Sequence, residues 1–315
     1  MAKGLIRIGH LSTFYHTSIL LMAKGEIENK LDAKVQWKLF GTGPAIVDAF
    51  KKEEIDLAYL GLPPAIIGID RGIKIKCIAG GHIEGTVLIG KEMHKGIPEE
   101  SRLRNILEQF RGHKIGVPGK GSIHDVILSE SLKRFGLIRD IKVVNFPWAD
   151  RIIDAMHNGQ VSAAVGTPAL AVAIARFAGG KILYSPSNLW PNNPSYGILV
   201  KNNFLNKQRT IIERFLMLHE EAATFLRNSP EEAAKIISDY VGIVDRDFVL
   251  DTLKISPKYC AQITDEYITS TLEFVKILKQ LGYISREISS EEIFDTSLIK
   301  KIHPAKAHYL KSLSR

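Results

Sequence analysis

The sequence predicts an α/β protein of two similar lobes, each a mixed sheet flanked by helices, with a helical layer at the C-terminal end. Three observations predict it. First, a stretch recurs: FGTGPAIVDAFKKEEIDLAYLGLPP over Phe40–Pro64 is echoed by FPWADRIIDAMHNGQVSAAVGTP over Phe146–Pro168. Asp48 and Asp154 stand 106 residues apart, and Gly9 and Gly116, which close two matching strand-like runs, stand 107 apart. Second, each copy alternates short apolar runs with segments whose apolar residues fall at helical spacing, the pattern of βαβ units. Third, beyond Lys207 the apolar period becomes wholly helical.

The elements follow in order. Leu5 to Gly9 reads as a strand, His10 to His16 as a polar and aromatic loop, and Thr17 to Lys24 as a helix closed by Gly25. Val35–Phe40 and Ile55–Leu60 read as strands around a helix that starts at Gly43-Pro44. Pro63 to Asp70 is a further helix and Lys74 to Ala79 a strand. Gly80 to Gly85 is expected to break regular structure before the strand Thr86 to Ile89, and the glycines flanking His82 and Glu84 imply a backbone that bends or passes close to something. In the second copy Lys114 to Val117 is a strand and Ser122 opens a helix in a capping-box-like Ser-x-x-Asp. Thr167-Pro168 places a strong cap before a proline at the first helical position. Tyr196 to Val200 reads as a strand returning to the first lobe. The expected division is lobe one over 1–90 and 193–315 and lobe two over 91–192. Ser229-Pro230-Glu231-Glu232 reads as a capping box in the helical layer, which is expected to pack on lobe one.

Composition narrows the function. The chain has 315 residues, 45% hydrophobic and 24% charged, enough for two cores. Its formal net charge of +8 is spread along the chain with no long basic run, which argues against a nucleic-acid partner and leaves a field favourable to anions. The two cysteines, Cys77 and Cys260, are far apart and show no metal-ligand spacing, so both read as buried free thiols. No metal site and no cofactor is expected. No Gly-x-Ser-x-Gly nucleophile turn and no GxxxxGK[ST] phosphate loop occurs.

In open α/β sheets ligands bind beyond the carboxyl ends of the strands. That rule gathers the loops 10–16, 41–44, 61–64, 119–122 and 166–168 at one cleft. Several helices begin there, and helix N-termini offer unpaired N–H groups and partial positive charge, which suits a carboxylate, sulfonate or other oxyanion. His10, His16, His82 and His124 are all placed near it.

At these residues the chain resembles the substrate-binding proteins of nitrate, sulfonate and taurine ABC importers. The resemblance rests on Ile6-Arg7-Ile8-Gly9-His10, Phe40-Gly41-Thr42-Gly43-Pro44, Ile55 to Gly61, the Gly80 to Gly85 segment and Lys114-Ile115-Gly116-Val117. It implies a type II periplasmic-binding-protein fold, the Venus flytrap, that closes on a small anionic or polar ligand without catalysis. It also implies ABC permease and ATPase partners and a monomeric chain. By this resemblance the ligand-binding residues are His10, Thr13, Thr42, Gly43, Gly61, His82, Glu84, Ser122 and Thr167. The location implied is extracytoplasmic for a mature chain without its leader, and cytoplasmic if the leader is truly absent, because Lys3 to Gly9 already reads as the first strand. Two enzymes on the same fold are the alternatives. A chorismate-type dehydratase would need a base, for which His10, His82 or Glu84 are the candidates. A pyrimidine synthase relative would need a cysteine-rich iron run, which is missing here.

Overall fold

The computed structural model describes residues 4–309. Its ten strands form two five-stranded sheets. The strands are β1 (Leu5–Leu11), β2 (Lys34–Phe40), β3 (Leu57–Leu60), β4 (Ile75–Ile83), β5 (Val87–Lys91), β6 (Lys114–Pro118), β7 (Lys142–Phe146), β8 (Ala163–Gly166), β9 (Gly180–Tyr184) and β10 (Pro194–Lys201). The first sheet runs β2-β1-β3-β10-β4 and the second β7-β6-β8-β5-β9. The two orders are the same pattern. In each, a parallel trio is followed by one antiparallel strand, β10 between β3 and β4 or β5 between β8 and β9.

The repeated sequence is thereby explained by packing. A Cβ at Gly9 would lie 3.0 Å from Ile55 Cδ1 and 3.3 Å from Phe40 Cε2, and one at Gly116 would lie 3.1 Å from Ile152 Cγ2 and 3.2 Å from Phe146 Cε2. The second strand of each sheet, β1 or β6, needs glycine at that point so that an aromatic ring from the neighbouring edge strand can close over it.

Three expectations are corrected. Val87–Lys91 pairs with β8 and β9, so the second sheet already begins at residue 87, and the division placed after residue 90 moves to the loop at 84–86. A strand flanked by glycines gives no local sign of which sheet it joins. Next, Gly80 to Ile83 does not break the strand but continues β4, which pairs with β10 as far as Ile83. The glycines there serve close packing: a side chain at Gly81 would overlap the Tyr196 ring. The bend falls instead at Glu84, with φ 61°. Finally, Ser229 makes no side-chain cap, its backbone at φ −137° and ψ 54° being turned away from capping geometry.

The helical layer sits on the first lobe and also reaches the second. The helix Arg209–Asn228 buries Ile212, Phe215, Leu216 and Leu226. Phe248 of the helix Arg246–Ile255 packs with Ala169, Val172 and Ala173 of the second lobe. Tyr283 donates to Asp125 across the lobes at 2.6 Å. No helix among the described residues is long and apolar enough to cross a membrane.

Candidate functional site

Between the sheets, beyond the carboxyl ends of β1, β3, β6 and β8, lies a cavity of about 60 Å³. Leu11, Pro64, Pro118, Ile123 and Ala149 give it apolar walls, and Ser12, Thr13, Tyr15, His16, Thr42, Ser122, His124, Thr167 and Ser195 give it polar ones. None of the lining residues is Lys, Arg, Asp or Glu. Room for about four waters, at ~15 Å³ each, fits a small headgroup.

Six helices start at this cavity: Thr17–Lys24, Gly43–Lys51 and Leu62–Asp70 from the first lobe, Ile123–Arg134, Asp150–His157 and Pro168–Phe177 from the second. They are not equivalent. Ser122 Oγ accepts from the Asp125 amide at 3.2 Å and Thr167 Oγ1 from the Leu170 amide at 3.2 Å, so these two hydroxyls cap their own helices. The Thr17 amide donates to the Tyr196 hydroxyl at 3.3 Å. The helices at Gly43 and Leu62 have no side-chain cap, and each carries proline in its first turn. Their remaining first-turn N–H groups have no partner within the helix, which leaves them available to a ligand.

Two buried polar atoms beside the cavity also lack partners among the described residues, Thr13 Oγ1 and His16 Nδ1. Both residues line it and are at most 6% exposed. Burial, reinforced by His82, His10 and His219, holds the His16 imidazole well below the usual histidine range, so it is neutral and offers one N–H. His124 pairs through Nδ1 with Thr86 Oγ1 at 3.0 Å, and burial lowers its pKa to about 3. The Tyr15 hydroxyl meets Ser195 Oγ at 3.1 Å, and burial raises its pKa to about 12, so it remains a phenol.

The structure brings together Thr13, Thr42, Gly43, Gly61, Ser122 and Thr167 as expected lining residues. His10, His82 and Glu84 do not line this cavity. His10 packs edge-on against Trp37 and its Nδ1 lies 3.4 Å from the Leu11 carbonyl. His82 donates through Nε2 to the Ser256 carbonyl at 2.5 Å, its side chain held behind β10 by the strand that was expected to break. The Glu84 carboxylate accepts from Lys258 Nζ at 2.7 Å and from the Asn192 amide at 3.0 Å. His16, His124, Tyr15 and Ser195 line the cavity without having been singled out as contacts. His124 could have been found from its place two residues past the Ser122 cap. Ser195 carries no local signal, because it arrives with β10 from far along the chain. A larger open groove of about 830 Å³, between the second lobe and the helix Asp265–Gln280, mixes Glu130, Arg134, Glu273 and Lys276. The one helix start that lines it, Asp265-Glu266, is acidic, and the groove's mixed charges define no ligand.

A family model described as the NMT1-like family matches residues 3–240. The chain belongs to the NMT1-like family. It has relatives named for sulfonates. A Bacillus subtilis (strain 168) protein, by its assigned name an aliphatic sulfonates-binding protein, is 26% identical over 305 residues, covering 94% of this chain and 87% of its own length. The alkanesulfonate-binding protein SsuA of Xanthomonas axonopodis pv. citri, solved bound to MOPS, superposes with a TM-score of 0.80 at 16% identity, over 93% of this chain and 99% of its own. The periplasmic aliphatic sulphonate binding protein SsuA of Escherichia coli gives 0.76 at 18% identity, over 94% of each chain. This NMT1-like chain thus has the two-lobed fold of SsuA-type substrate-binding proteins.

Proposed function

We propose that the protein is the solute-binding component of an ABC importer, capturing a small oxyanion, best a short alkanesulfonate, by closing its lobes on it. It is a binding protein, not an enzyme. The observation that carries the ligand class is the unpartnered polar set, Thr13 Oγ1, His16 Nδ1 and the uncapped helix starts at Gly43 and Leu62, in a cavity without any charged side chain. A carboxylate lining would have suited a cation. Neutral donors on helix N-termini suit a monoanion whose charge is met by dipoles. The names of the sulfonate-binding relatives support the same class.

None of the three bases expected for a dehydratase, His10, His82 and Glu84, lines the cavity, and burial makes the histidines that do, His16 and His124, weak bases. On this reading the protein acts as an extracytoplasmic monomer beside a permease and an ATPase. Titration calorimetry with methanesulfonate, taurine, nitrate, acetate and choline tests it. Methanesulfonate or taurine is expected to bind one to one and to be recovered unchanged, and choline not to bind. Binding of none of methanesulfonate, taurine, nitrate and acetate, or conversion of a bound one to product, would reject the reading.

A further inference from the structure

Cys260, isolated in sequence, is not isolated in the fold. Its Sγ lies 3.5 Å from His303 Nε2 and 3.5 Å from His308 Nδ1, and the two histidine nitrogens are 3.2 Å apart. Glu220 Oε1 stands 3.9 Å from His303 Nε2 and 3.6 Å from His308 Nδ1. The four ligand atoms all fall within 4.8 Å of one another. Tetrahedral zinc, with bonds of about 2.0–2.3 Å, places its ligand atoms about 3.3–3.6 Å apart. The separations among Cys260, His303 and His308, and that from Glu220 to His308, are close to a tetrahedron's edges, while the 3.9 Å from Glu220 to His303 requires the carboxylate to draw in on an ion.

We propose that Cys260, His303, His308 and Glu220 form a structural site for one divalent d-block ion, Zn²⁺ by the chemistry of the donors. One thiolate, two imidazoles and one carboxylate are borderline-soft ligands that suit zinc better than magnesium or calcium. Four protein ligands close the coordination sphere, so the site holds structure and activates no water. Cys260 and His303 are 1% and 6% exposed. The Cys260 amide donates to the Gly81 carbonyl, which fixes that ligand to β4. Glu220 is oriented from outside the cluster: its Oε1 accepts from Arg227 and Thr224 at 3.1 Å each, and its Oε2 from the Ala261 amide at 2.9 Å. Such outer hydrogen bonds commonly set the direction of a ligating carboxylate. A thiolate and a carboxylate together neutralise a dication, and Arg227 holds the carboxylate in place.

The ligands come from the helix Arg209–Asn228, the loop after Lys258, and the segment following the helix Ser297–Ile302. An ion there pins the C-terminal segment onto the first lobe. None of the four residues lines the ligand cavity.

The test uses the full-length protein, reduced and treated with chelator, then titrated with Co²⁺ and with Zn²⁺. One equivalent of Co²⁺ is expected to give a thiolate-to-cobalt charge-transfer band and the intense visible bands of tetrahedral cobalt, and Zn²⁺ to displace it and raise the melting temperature. Cys260→Ala and His308→Ala should each weaken metal binding about a hundredfold and abolish the thermal shift. Cys77→Ala should change neither, since Cys77 is buried elsewhere in the sheet. His308 is partly exposed, so its variant retains the fold if Cys260→Ala does not. A charge-transfer band that survives Cys260→Ala and His308→Ala, or no band at one equivalent, would overturn the site.

Discussion

Gly41 of the first lobe faces Pro147 of the second with no space between them: a side chain at Gly41 would overlap the Pro147 carbonyl oxygen and come within 2.8 Å of Trp148 Cδ2. The neighbouring contact is equally tight, since a Cβ at Gly119 would lie 2.9 Å from the Thr42 Cβ and Cγ2 atoms. Closure of the lobes therefore depends on missing side chains at the rim of the cavity. Ligand that touches both lobes favours this arrangement by its differential affinity for it.

Gly41→Ala should hold the lobes apart without disturbing either core. The expected result is an affinity for methanesulfonate lowered roughly tenfold or more, equal to ~1.4 kcal/mol, with a larger radius of gyration by X-ray scattering in the presence of ligand. Unchanged affinity and scattering would show that the rim does not govern closure.

The hydroxyls of the cavity should separate into two classes. Ser122→Ala and Thr167→Ala each remove a helix cap and should cost about 1 kcal/mol of stability as well as any affinity. Thr42 caps no helix through its side chain, so Thr42→Ala should lower affinity with almost no change in the urea midpoint. Equal stability losses in all three would contradict the division.

Glu84 is 3% exposed and satisfied by Lys258 and by the Asn192 amide. Glu84→Ala should destabilise the protein by about 2 kcal/mol, the range for hydrogen bonds to a charged group, and Lys258 being part-exposed limits the loss. Urea unfolding measures it. The methanesulfonate stoichiometry should remain one to one.

Acid should destabilise the fold earlier than a carboxylate-dominated protein. Burial lowers His124 to about 3 and His82 to about 4, against about 6.5 in the unfolded chain. The unfolded state thus binds protons first, so stability is full above pH 6.5 and is lost as pH falls through the window from 6.5 towards the folded values. By pH 5 each of the two removes about 2 kcal/mol. Urea midpoints between pH 7.5 and 5 should fall, and His124→Gln should flatten the slope. An identical slope in the variant would assign the acid loss to other groups.

Much of the fold was legible because its signals are local. The echo of Gly9 and Phe40 in Gly116 and Phe146 is a record of one packing solution used twice, and the cap at Thr167 is visible in two adjacent residues. The site was legible only where loops announce helix starts, at Thr42-Gly43, Gly61 and Ser122. Glycines alone do not tell bending from close approach: at Gly81 the strand runs on under the Tyr196 ring, and the bend comes three residues later at Glu84. Partnerships across long sequence distance left no trace at all: Ser195 with Tyr15, and Cys260 with the histidines that lie some forty residues on.

The chain crosses between the two sheets at 84–86 and again at 185–193, and the crossings are bound to each other, Glu84 taking the Asn192 amide while its own amide donates to the Asn193 carbonyl at 2.8 Å. Two tethers fastened side by side behave as a leaf hinge, not as a ball joint: they bend about one line and resist torsion. Opening and shutting would then trace a single arc, and the rims would meet in the same register whichever small anion lay between them. A membrane partner that recognises the shut outline could in that case read whether the pocket is filled while remaining indifferent to what fills it, so selectivity and docking would be written on different surfaces and could change independently.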